Sequence, residues 1–273
     1  MSAAFPYLSD TFRFGASSSW AKRFKILHRI RQRKITRFIS GSDFATLDDT
    51  VKAAEGFQKQ AKFLMSKFSA HLVINTDQTG CQYQLAYNRS LDFQGVKTVL
   101  AKKEKLASLT HSYTAQYALT ASGELLPKVF LCMAEPGNEF GPKVSVRVKS
   151  LEKEYQNIVV VASKSGKLTK ELYKNFLHAV IKPYVGEKDF LLLIDSWGGQ
   201  TDTNIYDEVF QKESGESTCS SKVIPPKCTP LCQPCDVYFY RQVKIFIKRL
   251  QNAPELLMEE REIASREDAL KIH

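Results

Sequence analysis

The chain predicts a mixed α/β fold in which helices cover a sheet, and three observations carry that prediction. Short apolar or β-branched runs recur at 71–77, 109–120, 125–133, 157–162, 190–195 and 222–224. Longer stretches set apolar residues three and four apart, the spacing of one helix face, at 47–69, 168–181 and from 236 onward. From residue 71 the two kinds of segment follow in the order strand, hairpin, helix, strand, helix, strand, helix.

Each element has its own signal. Residues 11–40 read as helical: Trp20, Phe24 and Leu27 fall at i, i+4 and i+7 behind Ser17, Ser18 and Ser19, which can cap. That segment is too short for a core of its own. Over 47–69 a second helix is expected, with Val51, Ala54, Phe57, Ala61, Leu64, Met65 and Phe68 in one stripe after Thr46. The period then changes, and HLVINTDQTG reads as a strand that stops at Asp77. Runs 109–120 and 125–133 join at Ala121-Ser122-Gly123-Glu124 as a hairpin. Asn157 to Ala162 leads into Ser165-Gly166, and Leu168, Leu172, Phe176, Leu177, Val180 and Ile181 then describe an amphipathic helix ending near Pro183. The run Phe190 to Ile194 ends in Asp195 before Ser-Trp-Gly-Gly. A short helix at 203–212, a polar loop at 213–221, the strand at 222–224 and Pro225-Pro226 follow. A last long helix starts near Asp236, with Val237, Tyr240, Val243, Ile247 and Leu250 on one face. The organisation reads as a basic helical segment at 1–45, a helical connector at 46–70, a main domain at 71–252 and a helical tail at 253–273.

Composition bounds the function. At 273 residues, 43% of them hydrophobic, the chain can bury a substantial core. Lys and Arg number 39 against 29 acids, a net charge of +10 that favours a polyanionic partner. Eight bases lie between Lys22 and Arg37 with no acid among them: Lys22, Arg23, Lys25, Arg29, Arg31, Arg33, Lys34 and Arg37. Interleaved with Phe24, Leu27 and Ile30, they fit phosphate contact by a half-buried helix, although a charge run is also often a solvated face. The start MSAAFPYLSD lacks the pattern of a secretory signal, and no apolar run approaches the roughly 20 residues of a membrane span. The expectation is a chain without a membrane partner. Its six cysteines are expected to stay reduced, in the cytosol or nucleus.

Three aspartates stand at comparable places: Asp77 and Asp195 after apolar runs, and Asp236 at a helix start after Gln-Pro-Cys. Carboxylates that converge repel each other unless cations neutralise them, and hard divalent ions prefer oxygen ligands. Two such ions about 3.5–4 Å apart can activate water and stabilise a leaving oxygen in phosphodiester cleavage. An aspartate at such a place is also commonly a turn-former or a helix cap. Spacing alone leaves both readings open.

The stretches INTDQTG (74–80), LLLIDSWGGQ (191–200) and IPPKCTPLCQPCDVYFYRQVK (224–244) resemble the three catalytic blocks of DDE-superfamily transposases, in the pogo, Tigger, jerky and centromere protein B branch. Pro225, Pro226, Thr229, Gln233, Pro234 and Asp236 match the third block. SYTAQYALTASGELLP (112–127) is similar to the hairpin after the first block, and FGASSSWAKRFKILHRIRQRKIT (14–36) to the end of the second helix-turn-helix unit of the DNA-binding region. The resemblance implies a ribonuclease H-like mixed sheet flanked by helices. It also implies that Asp77, Asp195 and Asp236 bind two Mg²⁺ or Mn²⁺ ions that drive hydrolysis of a DNA phosphodiester and transfer of the freed 3′-hydroxyl. DNA is then the partner, the nucleus the compartment, and a homo-oligomer is compatible with the family. The chain begins inside the second DNA-binding unit, so the alternative is a truncated, catalytically inactive DNA-binding descendant. In many relatives the second block continues from Asp into Asn and a nearby His, so here the polar contribution is expected from Ser196, Gln200 or elsewhere.

Other signals compete. Cys219, Cys228, Cys232 and Cys235 hold one Cys-x-x-Cys pair, which suits zinc, but the outer spacing is irregular and small buried thiols are the expectation. His178 has no nucleophile paired with it in sequence and reads as a packing or surface residue. Trp197 can stack on a base or pack in the core.

Overall fold

The structure is a computed structural model and describes residues 17–31, 47–83, 94, 112–256 and 265–273. The chain divides into two compact units, Met1–Leu47 and Asp48–His273. In the first, helix α1 spans Ser18–Leu27. The Ser17 hydroxyl accepts from the Trp20 N–H at 3.2 Å, so the serine run does cap it. The helix is shorter than the 11–40 expected. Arg29 adopts a left-handed φ of 53° and ends it. Among the described residues α1 buries none of its side chains, which corrects the half-buried expectation. Arg33, Lys34 and Arg37 lie outside the described residues, as does the rest of the helix-turn-helix resemblance.

The second unit opens with α2, Leu47–Met65. Its sheet comprises β1 (Val73–Gln82), β2 (Ser112–Thr120), β3 (Val129–Ala134), β4 (Ile158–Ser163), β5 (Phe190–Ile194) and β6 (Cys219–Val223) in the order β4-β3-β2-β1-β5-β6. β1, β2 and β3 form an antiparallel meander, and the turn from β2 to β3 carries the bridge Leu119↔Leu125 and Gly123 at φ 89°. β4 adds in parallel on one side, and β5 and β6 add in parallel on the other. This is a mixed sheet, antiparallel at its centre and parallel towards both edges, with helices on its two faces.

Three expectations change. β1 does not stop at Asp77, because β2 keeps pairing with it as far as Gln82. Its parallel neighbour β5, in contrast, is paired with β1 only at Val73 to Asn75. Asp77 therefore sits in mid-strand, beyond the point where one flank loses its partner. β6 begins at Cys219, inside the stretch read as a polar loop, because register with Phe190 to Ile194 recruits the weakly apolar CSSKV. Helix α3, Pro142–Glu154, forms where no element was assigned.

Side-chain alternation sorts the core. Ile74, Phe130, Cys132, Leu192 and Ile194 pack on one face against α4, which spans Lys170–Phe176 and continues through a π turn to Val185, and against α5, Asn204–Phe210. Tyr113, Ala115, Tyr117, Leu131 and Met133 pack on the other face against α3, α6 (Tyr240–Leu256) and α7 (Arg266–Ile272). Val73, Leu191 and Leu193 on that same face meet Ala54, Phe57 and Ala61 of α2. Asp77 shares the parity of Val73. Its side chain thus leaves the sheet on the face that α2 and α6 flank.

Candidate functional site

The sheet register brings two of the aspartates together. β1 and β5 pair Asn75 with Leu193 as the last step of their parallel ladder, so Asp77 and Asp195 each follow two residues after the point where the two strands part, and the Asp195 charge is felt at Asp77. Asp236 arrives from the segment 224–240, in a π turn, Cys235–Phe239, that leads into α6. Exposure grades outward. Asp77 is buried, Asp195 is half-buried and Asp236 is open to solvent.

The charge of Asp195 reaches both of the other carboxyls. Burial pushes the Asp77 carboxyl up to about 7, and the charges of Asp236 and Asp195 add to the rise. Asp236 is also raised, first by desolvation and then by Asp195, while Lys244 acts in the opposite sense. Among the described residues no three His, Cys, Asp or Glu side chains are gathered closely enough to hold a metal ion as they stand. The donor set, three carboxylates and no thiolate or imidazole, nevertheless fits a hard divalent cation. Such an ion supplies the charge that buried, mutually repelling acids lack.

The segment that delivers Asp236 also holds the other two. The Thr229 hydroxyl donates to Asp195 Oδ1 at 2.9 Å, and the buried Tyr240 hydroxyl donates to the Asp77 carbonyl. Gln233 is wholly buried, and its amide donates to the Thr76 carbonyl at 3.3 Å. Asn75 donates to Gln233 and to the Leu193 carbonyl. Of these residues, Thr229 and Gln233 lie in the quoted motif but carry no role from spacing. Asn75 had a readable signal: it is a polar residue in an apolar run, on the same strand face as Asp77.

The remaining candidates fall elsewhere. Lys22, Arg23, Lys25, Arg29 and Arg31 are exposed on or just after α1. Trp197 packs edge-on to Tyr173, with centroids 6.2 Å apart and rings at 89°, so core packing takes its ring. The Gln200 side chain is wholly buried with neither amide atom bonded, and does not open to solvent; Ser196 is half-buried. The Cys228 thiol donates to the Thr50 carbonyl and the Cys232 thiol to the Ala54 carbonyl. Those cysteines therefore point into α2, and Cys235, raised by burial, belongs to the neighbouring cluster on the same face of the sheet. His178 is exposed.

Beyond Asp236 the exposed residues are basic and aromatic: Tyr238 in the π turn, and Arg241, Lys244, Phe246 and Arg249 on α6. No acid occurs between Val237 and Pro254. Among the described residues no helix is long and apolar enough to cross a membrane.

Comparison with known structures returns the Mos1 transposase paired-end complex with left transposon end, at 12% identity and a TM-score of 0.48, covering 99% of this chain and 69% of that one. The Mos1 mariner paired end complex with Mn aligns at 12% identity and a TM-score of 0.49, covering 98% and 68%. The Mos1 strand transfer complex aligns at 12% identity and a TM-score of 0.46, covering 99% and 68%. No curated protein matches the sequence. The family model for the DDE superfamily endonuclease matches residues 129–270, a span that contains Asp195 and Asp236 and lies wholly beyond β1. With just over half of its length matched in this way, the chain belongs to the DDE superfamily endonuclease family.

Proposed function

We propose that this protein is a transposase-type DNA endonuclease, in which Asp77, Asp195 and Asp236 hold two Mg²⁺ or Mn²⁺ ions and the reaction is hydrolysis of a DNA phosphodiester followed by transfer of the freed 3′-hydroxyl to target DNA. The observation that carries this reading is the arrival of three carboxylates from three separate elements, with the buried Asp77 raised to about 7 by desolvation first and then by the charges of Asp236 and Asp195. A carboxyl perturbed by burial and by neighbouring acids marks a candidate functional site. When bound, divalent ions would supply charge neutralisation and an acidified water at the scissile phosphate.

The chain's own residues do the positioning that phosphoryl transfer demands. The half-buried Asp195 is held by the Thr229 hydroxyl, which donates to Oδ1. The exposed Asp236 stands at the mouth, where a phosphate can approach. Arg241, Lys244 and Arg249 on α6 supply positive charge beside it, and Tyr238 and Phe246 offer faces on which bases stack. Lys22, Arg23, Lys25, Arg29, Arg31, Arg33, Lys34 and Arg37 extend phosphate contact to a second segment, and DNA as the substrate places the protein in the nucleus. Assembly as a homo-oligomer is part of the same reading.

The test needs no knowledge of the DNA target. Mn²⁺ is titrated into the parent protein and into Asp195→Ala while tryptophan fluorescence is followed. Trp197, two residues from Asp195, should be quenched saturably in the parent and not in the variant. Metal-dependent nicking of supercoiled plasmid should vanish in Asp195→Ala while affinity for DNA at low salt stays. Identical Mn²⁺ responses in two folded proteins would sink the metal reading. DNA binding without nicking would leave an inactive DNA-binding descendant.

A further inference from the structure

We infer that Asn75 and Gln233 are positioning residues, a buried amide pair that locks the Asp236 segment onto the two aspartate-bearing strands and so sets the spacing of the three carboxylates. The inference deepens the metal-site reading above and rests on it. Asn75 is 5% exposed and Gln233 is wholly buried. Asn75 Nδ2 donates to Gln233 Oε1 at 2.6 Å and to the Leu193 carbonyl at 3.0 Å, and Asn75 Oδ1 accepts from the Cys235 N–H at 3.1 Å. Gln233 Nε2 donates to the Thr76 carbonyl at 3.3 Å.

The landing points of these bonds give the pair its meaning. Thr76 precedes Asp77, Cys235 precedes Asp236, and Leu193 lies two residues before Asp195. These three bonds therefore each end within two residues of a different aspartate, and the Gln233 side chain also hydrogen-bonds Asp77 itself. The Leu193 contact lies at Asn75↔Leu193, the last pair of the β1–β5 ladder, where a side-chain donor satisfies a carbonyl as backbone pairing runs out. Asn75 and Gln233 are 158 residues apart in sequence, so the pair is a tertiary contact and not a local turn.

Length and charge both select these residue types. The glutamine must span from the helical turn to the Thr76 carbonyl and to Asn75 at once, which needs one donor and one acceptor at the end of a side chain. Both amides are neutral, so they orient the carboxylates without adding a positive charge, although the Gln233 side chain also favours the charged form of Asp77 by a hydrogen bond. Partners one layer behind metal ligands act in this way, and their loss lowers metal affinity about 10–100-fold.

The experiment uses the full chain and Mn²⁺ alone as the probe. Gln233→Met keeps the length and apolar volume of the side chain while removing its hydrogen bonds, and Asn75→Ala removes the other half. Urea unfolding establishes that each variant is folded, and Mn²⁺ affinity is read from tryptophan quenching. The expected result is a loss of affinity of about 10–100-fold in Gln233→Met with the fold kept. The double variant Asn75→Ala/Gln233→Met should lose little beyond the worse single, since the two act as a unit. Should Asn75→Ala fail to fold, Gln233→Met alone decides. A folded Gln233→Met that binds Mn²⁺ like the parent overturns the pair's role while leaving the site intact. A parent whose quenching does not depend on Asp195 overturns the site and the pair together.

Discussion

Gly199→Ala probes how the loop after β5 presents Asp195. A Cβ added at Gly199 would fall 2.3 Å from Trp197 Cη2, 2.5 Å from Cζ3 and 2.6 Å from Cζ2. Carbon atoms rest about 3.5–4.0 Å apart, so the indole must withdraw by about 1 Å or more. It cannot do so freely, because its edge-on contact with the wholly buried Tyr173 anchors it. Giving up that contact accounts for about 0.5–1.5 kcal/mol, and forcing extra volume into a packed site costs about 1–3 kcal/mol in all. Gly198→Ala is the control, since nothing lies within 4 Å of a Cβ there and the position is exposed. Urea unfolding should show Gly199→Ala weakened by about 1–3 kcal/mol and Gly198→Ala within about 0.5 kcal/mol of the parent. The Trp197 emission should shift to the red in Gly199→Ala only, and Mn²⁺ quenching should weaken with it because Asp195 moves. Equal behaviour of the two alanine variants would refute the claim that Trp197 splints this loop.

Further outcomes follow from other contacts. Thr229→Val keeps the shape of the side chain but removes the donor to Asp195 Oδ1, and Mn²⁺ affinity should fall about tenfold, the lower end expected for an outer partner; unchanged affinity would exclude the hydroxyl from the site. Arg241→Ala and Arg249→Ala should each flatten the salt dependence of duplex binding by about 0.9 in slope if each meets one phosphate, and an unchanged slope removes α6 from the DNA interface. His273 is held by the Tyr113 and Tyr117 hydroxyls, and burial pushes its pKa down from 6.5 to about 4. The unfolded chain then takes up a proton near 6.5 that the folded chain refuses until about 4. This contribution is therefore present in full above 6.5 and is lost as pH falls towards 4, by about 3 kcal/mol at most. His273→Gln should remove that difference, read as the parent-minus-variant unfolding free energy at pH 7.5 and pH 4.5, and parallel values would refute it.

The outline of the fold was legible because its signals are local. The run Phe190 to Ile194, the stripe of α2 and the helix from Asp236 each declare themselves within a few residues, and the structure forms all three. α3 was not legible because Val144, Val146 and Val148 alternate like a strand. Burial of Val148 and Leu151, three apart, decides for the helix, while Val146 stays exposed. The end of β1 was misplaced for a related reason. A change of polarity at Asp77 reads as a stop, yet polar Asn75, Thr76 and Thr79 are carried inside the strand by pairing with β2. In the site, Asp195 and Asp236 could be picked out by the segments around them. Their supports could not, since the bond from Asn75 to Gln233 and that from Thr229 to Asp195 join positions far apart in sequence.

The choice of amides behind the aspartates explains why the site stays receptive to a cation. A lysine or arginine at 75 or 233 could satisfy the same carbonyls as a donor, and its charge would offset the carboxylates directly. That arrangement would stabilise the apo fold and remove the reason for a cation to enter. Neutral side chains fix the geometry without bringing a cation, and Asp77 and Asp236 stay elevated, by desolvation first and by the neighbouring carboxylates after it. Lys244 acts on Asp236 from α6, at the open edge of the cluster, while desolvation dominates at the buried Asp77. The folded protein thus carries an unbalanced negative charge where two strands and a helix start meet, and a bound divalent ion would add stability there as well as chemistry.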